Sequence, residues 1–118
     1  CGVYYSVALG DEGESERMSN LTALDMLKIG QLFLKGGTFD GKQIISESYI
    51  NQAVAPLKCN SGYGHLWWRG DDWYGCRGYG GQSITVIPVK KAVIVTQATP
   101  TARGMGYEDV IWHCKNLI

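Results

Sequence analysis

Tyr63-Gly-His-Leu-Trp-Trp68, Gly70-Asp-Asp72, Gly78-Tyr-Gly-Gly-Gln-Ser-Ile-Thr-Val-Ile-Pro88 and Lys90-Lys-Ala-Val-Ile-Val-Thr-Gln97 decide how the chain folds. From Tyr63 onward the pattern has a period of two, that of strands whose successive side chains point to opposite faces. Turn residues punctuate the runs near Gly70-Asp71-Asp72, Gly80-Gly81 and Val89-Lys90, which predicts four strands of about six residues each. Sequential hairpins make the sheet an antiparallel meander. The Gly78-Tyr-Gly-Gly81 corner is the first candidate site, because glycine has no Cβ and presents bare N–H donors to a closely approaching molecule.

Helical patterns flank the meander. Ala23, Met26, Leu27, Gly30, Phe33 and Leu34 fall on one face of a predicted helix, with Asp25, Lys28, Gln31 and Lys35 largely on the other. Thr22 caps it, Asp25 completes a capping-box-like pair, and Gly36-Gly37 ends it. Gly30 inside this helix costs about 1 kcal/mol against alanine unless close packing offsets the loss. Phe39-Asp-Gly-Lys-Gln-Ile-Ile45 holds an Asp-Gly turn between short extended arms. Ser46 caps a second helix with Tyr49, Ile50, Ala53 and Val54 as its apolar face, and Pro56 ends it. Tyr107, Val110, Ile111, Cys114, Leu117 and Ile118 recur at helical spacing, with Glu108 and Asp109 early and Lys115 late, as the helix dipole favours. Cys1 to Leu9 alternates weakly, as a strand would, and residues 10–17 read as a polar, flexible loop. Helices segregated against an antiparallel sheet define an α+β class, one domain or subdomain over residues 1–118.

Length and composition narrow the function. A chain of 118 residues with 45% hydrophobic and 11% aromatic content can bury a core. Eleven basic residues balance eleven acidic ones without a like-charge block, so nothing favours nucleic acid or an anionic membrane. A small neutral or mixed-charge partner, a substrate or a peptide, fits better. The apolar runs fall far short of the ~20 residues that span a bilayer. The abrupt start at Cys1 suggests a segment of a longer protein. Cys1, Cys59, Cys76 and Cys114 lack the paired spacing of a zinc site, and free, buried thiols are the default expectation.

No phosphate loop, dinucleotide fingerprint, zinc-binding His-Glu-x-x-His, Ser-x-x-Lys or Gly-x-Ser-x-Gly occurs in the sequence. Four other stretches occur in a consistent order: Ser19 through Leu24, Gly30 and Leu34 to Gly37; Phe39 to Ile45 with Ser46 and Glu47; Tyr63-Gly-His-Leu-Trp-Trp68; and Gly78-Tyr-Gly-Gly-Gln82. Singly each is weak. In register, over about residues 19–99, they resemble the C-terminal part of class C β-lactamase-like and penicillin-binding-protein-like serine hydrolases.

The resemblance implies an antiparallel sheet flanked by the terminal helices. It also implies a separate helical region, upstream of Cys1, carrying the nucleophilic serine, its lysine and a general-base tyrosine. That region would be a partner of this chain in the whole protein. The family's sheet-edge motif, a Lys or His, then Thr or Ser, then Gly, matches Tyr79, Gly80 and Gly81. The resemblance then assigns Tyr79, Gly80 and Gly81 to the substrate wall and the backbone N–H of Gln82 to an oxyanion hole. Tyr79 and Gly80 lack the cation and the hydroxyl that would hold a penicillin-like carboxylate, which argues against β-lactam specialisation and leaves esterase- or peptidase-like chemistry. Arg77, two residues earlier on the same strand face as Tyr79, is the alternative positive charge. The resemblance implies no cofactor and no metal, and it carries the family's usual export to the cell envelope. Isolated from the helical region, the chain is expected to be inactive and to expose an apolar surface or form a homodimer through it.

Structural readings compete with each assignment. Tyr79 also suits a cross-strand aromatic partner. Trp67, Trp68 and Trp73 suit the core better than a groove, and at least one of the adjacent pair must face inward. His65 and His113 have no companions at catalytic spacing and read as structural. Asn20-Leu-Thr22 matches a glycosylation sequon, but Thr22 is better explained as a cap. The rival function is a non-catalytic domain that binds cell-wall glycan or peptide through the tryptophan-rich sheet, and a third is a degenerate homologue kept as an interaction surface.

Overall fold

The first described helix begins where the sequence places its cap. A computed structural model describes residues 21–78, 81–97 and 107–118; the predicted strand at Cys1 to Leu9 and the loop at 10–17 lie outside these residues. Helix α1 spans Ala23–Leu34, with the Thr22 side chain accepting from the Asp25 N–H and the Asp25 carboxylate accepting from the Thr22 N–H. That reciprocal box satisfies donors a bare helix end would leave orphaned. The Asp25 carboxyl is held below its usual pKa, first by the Thr22 hydroxyl, which donates to it at 2.7 Å, and then by Lys28. At the other end the Gly36 N–H bonds the Phe33 carbonyl at 3.2 Å and the Gly37 N–H bonds the Leu32 carbonyl at 2.8 Å. This is a Schellman closure, with Gly36 at φ +62° in the left-handed region that glycine enters at least cost.

The chain then makes a short hairpin, β1 (Thr38–Phe39) and β2 (Lys42–Gln43), around Asp40 and Gly41, both at positive φ. Ser46 caps helix α2 (Glu47–Val54) by accepting from the Tyr49 N–H, and Ala55, ahead of Pro56, is extended as residues before proline are. Ile50 and Ala53 are buried, but Tyr49 is 50% exposed, so the predicted apolar face of α2 is narrower than its periodicity suggests.

Four antiparallel strands follow in the order β3 (Trp68–Arg69), β4 (Tyr74–Arg77), β5 (Ser83–Ile87) and β6 (Ala92–Thr96). The meander is as expected, but its strands are shorter, two residues in the case of β3. Leu66 interrupts extended backbone at φ +67°, and a 3₁₀ turn at Pro88–Lys90 joins β5 to β6.

Register sorts the sheet into two faces. Tyr74 pairs with Val86 and Val86 with Val93; Cys76 pairs with Ile84 and Ile84 with Val95. These residues face α1, which lies across β5 and β6, and with Met26, Phe33, Ile50, Ala53 and Trp67 they form the core. Gly30 seats α1 there: a Cβ at this position would overlap Val93 Cγ1 and lie 2.9 Å from Ile84 Cγ2. The opposite face carries Gly75, Thr85 and Ile94 in one row and Arg77, Ser83 and Thr96 in the next. Helix α3 (Tyr107–Leu117) packs against β6. Of its predicted apolar positions Ile111 is fully buried, whereas Val110, Leu117 and Ile118 are exposed.

The cysteines correct one expectation. Cys76, fully buried in the middle of β4, is disulfide-bonded. The default of free, buried thiols therefore fails there, and fails for Cys59, which is free but exposed; Cys114 is free and half-buried.

Tyr74 gives the fold a measurable alkaline limit. Partial burial beside Trp67 pushes its phenol from 10.0 up to about 12. The folded state then holds this proton through a range where the unfolded chain has lost it. The contribution is whole below pH ~10 and disappears as pH rises towards ~12. With partial exposure discounted it amounts to about 1 kcal/mol. In absorbance titrations at the phenolate band, one tyrosine is expected to ionise last, and Tyr74→Phe is expected to remove that step.

Candidate functional site

The glycine corner joins β4 to β5, and hydrogen bonds define its geometry on both sides. The Gly78 N–H donates to the Gln82 carbonyl at 2.8 Å, continuing the ladder past Arg77 and Ser83. Gly81 is buried with φ +97°, a conformation that excludes most side chains. Its carbonyl accepts from Thr96 Oγ1 at 2.8 Å. The described peptide bonds are all trans, so the C=O of Gly81 and the N–H of Gln82 point in opposite directions from one planar unit. The Gln82 N–H is therefore directed away from Thr96. Gln82 itself is half-buried, and Tyr79 and Gly80 lie outside the described residues.

A polar row runs down the α3-facing side of the sheet from this corner. Ser83 and Thr85 are fully buried yet paired. Ser83 Oγ lies 2.6 Å from Thr96 Oγ1, and Arg77 Nη1 donates to Thr85 Oγ1 at 3.1 Å and to the Ile84 carbonyl at 3.3 Å. The guanidinium fills the space above Gly75, where a Cβ would sit 2.8 Å from Nη1. It also stacks 4.8 Å from the centre of the Trp73 ring. Arg77 is thus turned back along β4 rather than out past the corner.

Trp73 continues the array to α3. It meets Trp112 edge to face at 5.6 Å, Lys115 Nζ lies 5.4 Å from the Trp112 ring, and the same ammonium pairs with Asp72 at 2.6 Å. The other tryptophans divide as the strand period requires. Trp67 is buried against Phe33 and Tyr74, while Trp68 is 44% exposed and packs edge to face on Tyr63. Core packing thus accounts for Trp67, but Trp68 sits on the surface. His65 and His113 are both exposed. Thr22 is a helix cap, the reading preferred to its place in a glycosylation sequon.

A cavity of about 370 Å³ opens at the other end of β5, walled by Val54, Pro56, Arg69, Asp72, Trp73 and Val89 among others. The length of β5 separates it from Gly81 and Gln82, so it is no part of the corner. Among the described residues no group of three or more His, Cys, Asp or Glu side chains is placed to hold a metal ion, and no helix is long and apolar enough to cross a membrane.

Thr96 and Ser83 are the site residues that sequence reading missed. The signal was present in Ser83-Ile-Thr85-Val, where hydroxyls alternate with aliphatics inside a buried strand. What was not visible was the register that sets Ser83 opposite Thr96.

No family model matches the chain, and no curated protein matches it by sequence. A solved structure does: the protein described as "Putative 6-aminohexanoate-dimer hydrolase from Bacillus anthracis" superimposes with a TM-score of 0.68 at 24% identity, over 87% of this chain and 29% of that one. The chain therefore spans less than a third of that protein's length. At this identity the likeness establishes architecture, and the described residues adopt an α+β fold of the β-lactamase-like type.

Proposed function

We propose that this chain supplies the sheet side of the catalytic cleft of a serine hydrolase that acts through an acyl-enzyme on an ester, amide or peptide. The observation that carries the reading is the Gly81–Gln82 peptide, whose carbonyl is tied to Thr96 so that its N–H faces the other way. In this reading a serine oxygen from a helical region outside these residues, its proton taken by a base of that region, adds to the substrate carbonyl carbon, and the bond to the alcohol or amine then breaks, the leaving group taking that proton as the acyl-enzyme forms. Between these events the carbonyl oxygen carries the negative charge and accepts a hydrogen bond from the Gln82 N–H; such preorganised donors are worth about 3–4 kcal/mol of barrier each. In the same reading Tyr79, Gly80 and Gly81 belong to the substrate wall, and Arg77, whose guanidinium lies back along β4, braces the adjoining strand rather than the substrate. The hydrolase name of the structural neighbour agrees with this class.

A labelled fluorophosphonate tests it. The whole protein is expected to gain one covalent adduct, seen as a single mass increment, while the 118-residue chain alone stays unlabelled. A whole protein that takes no label and cleaves no activated ester would overturn the reading. The pair of half-buried Tyr63 and exposed Trp68 would then favour the glycan- or peptide-binding alternative, which quenching of Trp68 by cell-wall fragments would detect.

A further inference from the structure

We infer that Thr96 and Ser83 are positioning residues that aim the Gln82 amide, an inference that rests on the serine-hydrolase reading above. A glycine corner does not by itself fix where its N–H groups point. With no Cβ at Gly81, rotation of the peptide plane meets little steric resistance, so its direction is set by whatever bonds the carbonyl. Here that partner is Thr96 Oγ1 at 2.8 Å.

The direction of the hydrogen bonds follows from counting protons. A hydroxyl has one proton to give. Thr96 gives its proton to the Gly81 carbonyl, so the 2.6 Å contact with Ser83 must use the proton of Ser83 Oγ. The order is Ser83 to Thr96 to Gly81, each donation polarising the next hydroxyl, in a sheet interior where Ser83 is fully buried. The β5–β6 register, which places Ser83 opposite Thr96, thereby becomes the reference for an amide just beyond the end of β5. Neither residue touches the reacting atoms, so a positioning role should show in kcat rather than KM.

The test compares Thr96→Val, which keeps the shape and removes the hydroxyl, with Thr96→Ser, which keeps the hydroxyl. In the whole protein, Thr96→Val is expected to lower kcat on an activated acyl ester about ten- to a hundredfold, part of what losing an oxyanion donor outright costs, with KM within about twofold. Thr96→Ser is expected to stay within about threefold of the unaltered protein. In both variants the ¹³C shift of the Gly81 carbonyl reports the bond directly, and it should move for valine and not for serine. Equal kcat losses in the two variants would mean that Thr96 only fills space, and an unmoved carbonyl shift in Thr96→Val would mean that its hydroxyl does not hold the peptide; either overturns the inference. An unaltered whole protein without hydrolytic activity would instead overturn the hydrolase reading, and with it the catalytic role, whatever the carbonyl shift shows.

Discussion

Shortening Ile84 to alanine is expected to destabilise the chain by about 3–4 kcal/mol, within the range for deleting a fully buried aliphatic side chain that its surroundings cannot collapse around. Ile84 is completely inaccessible, lies between Cys76 and Val95 in the sheet, and meets α1 on its outer side. Chemical denaturation would show the loss as a lower midpoint with an unchanged slope. A shift worth less than ~1 kcal/mol would mean that α1 does not rest on β5 as described.

The second large effect comes from the opposite change at the same contact. On helix propensity alone, replacing Gly30 with alanine should stabilise α1 by about 1 kcal/mol. Packing reverses the sign. The new methyl would overlap Val93 Cγ1 and lie 2.9 Å from Ile84 Cγ2, in a sheet whose strands are paired on both sides of Ile84. Overpacking of this kind costs about 1–3 kcal/mol, and Gly30→Val, with two further methyls, should reach the upper end or pass it. The two sites are in contact, so their effects should not add. Gly30→Ala combined with Ile84→Ala is expected to be less destabilised than the sum of the single changes by about 1 kcal/mol or more, since the cavity made by one accommodates the methyl of the other. An additive pair, or a stabilising Gly30→Ala, would contradict the helix-on-sheet contact.

Much of this contact was legible without coordinates. Thr22 with Asp25, the Gly36-Gly37 stop, the Asp40-Gly41 turn, the Ser46 cap and Pro56 each act within a few residues of backbone, so local chemistry specified them. The alternation from Tyr63 gave the meander for the same reason. Failures began where distance in sequence took over. Cys76 carries the same side chain as the free Cys59, and only the folded arrangement decides which of them is bridged. Tyr49 and Val110 keep a helical period yet lie in the open, because periodicity says which residues share a face and not whether anything covers it. At the candidate site the sequence pointed to the glycine corner, but the aim of its amide depends on a threonine brought alongside by strand register.

Lys115 belongs to the last turn of α3, and Leu117 closes that helix. Its ammonium is shared between the Asp72 carboxylate and the Trp112 ring, which leads through Trp73 to Arg77 at the end of β4. An acidic peptide grafted onto the last turn of α3 would therefore lie beside the ion pair and compete for the cation. Engineers wishing to immobilise or visualise this polypeptide would do better to attach their label at Lys42, an exposed residue of β2, than at the neighbouring Gly41, where open space is offset by a backbone at φ +73° that strains any side chain.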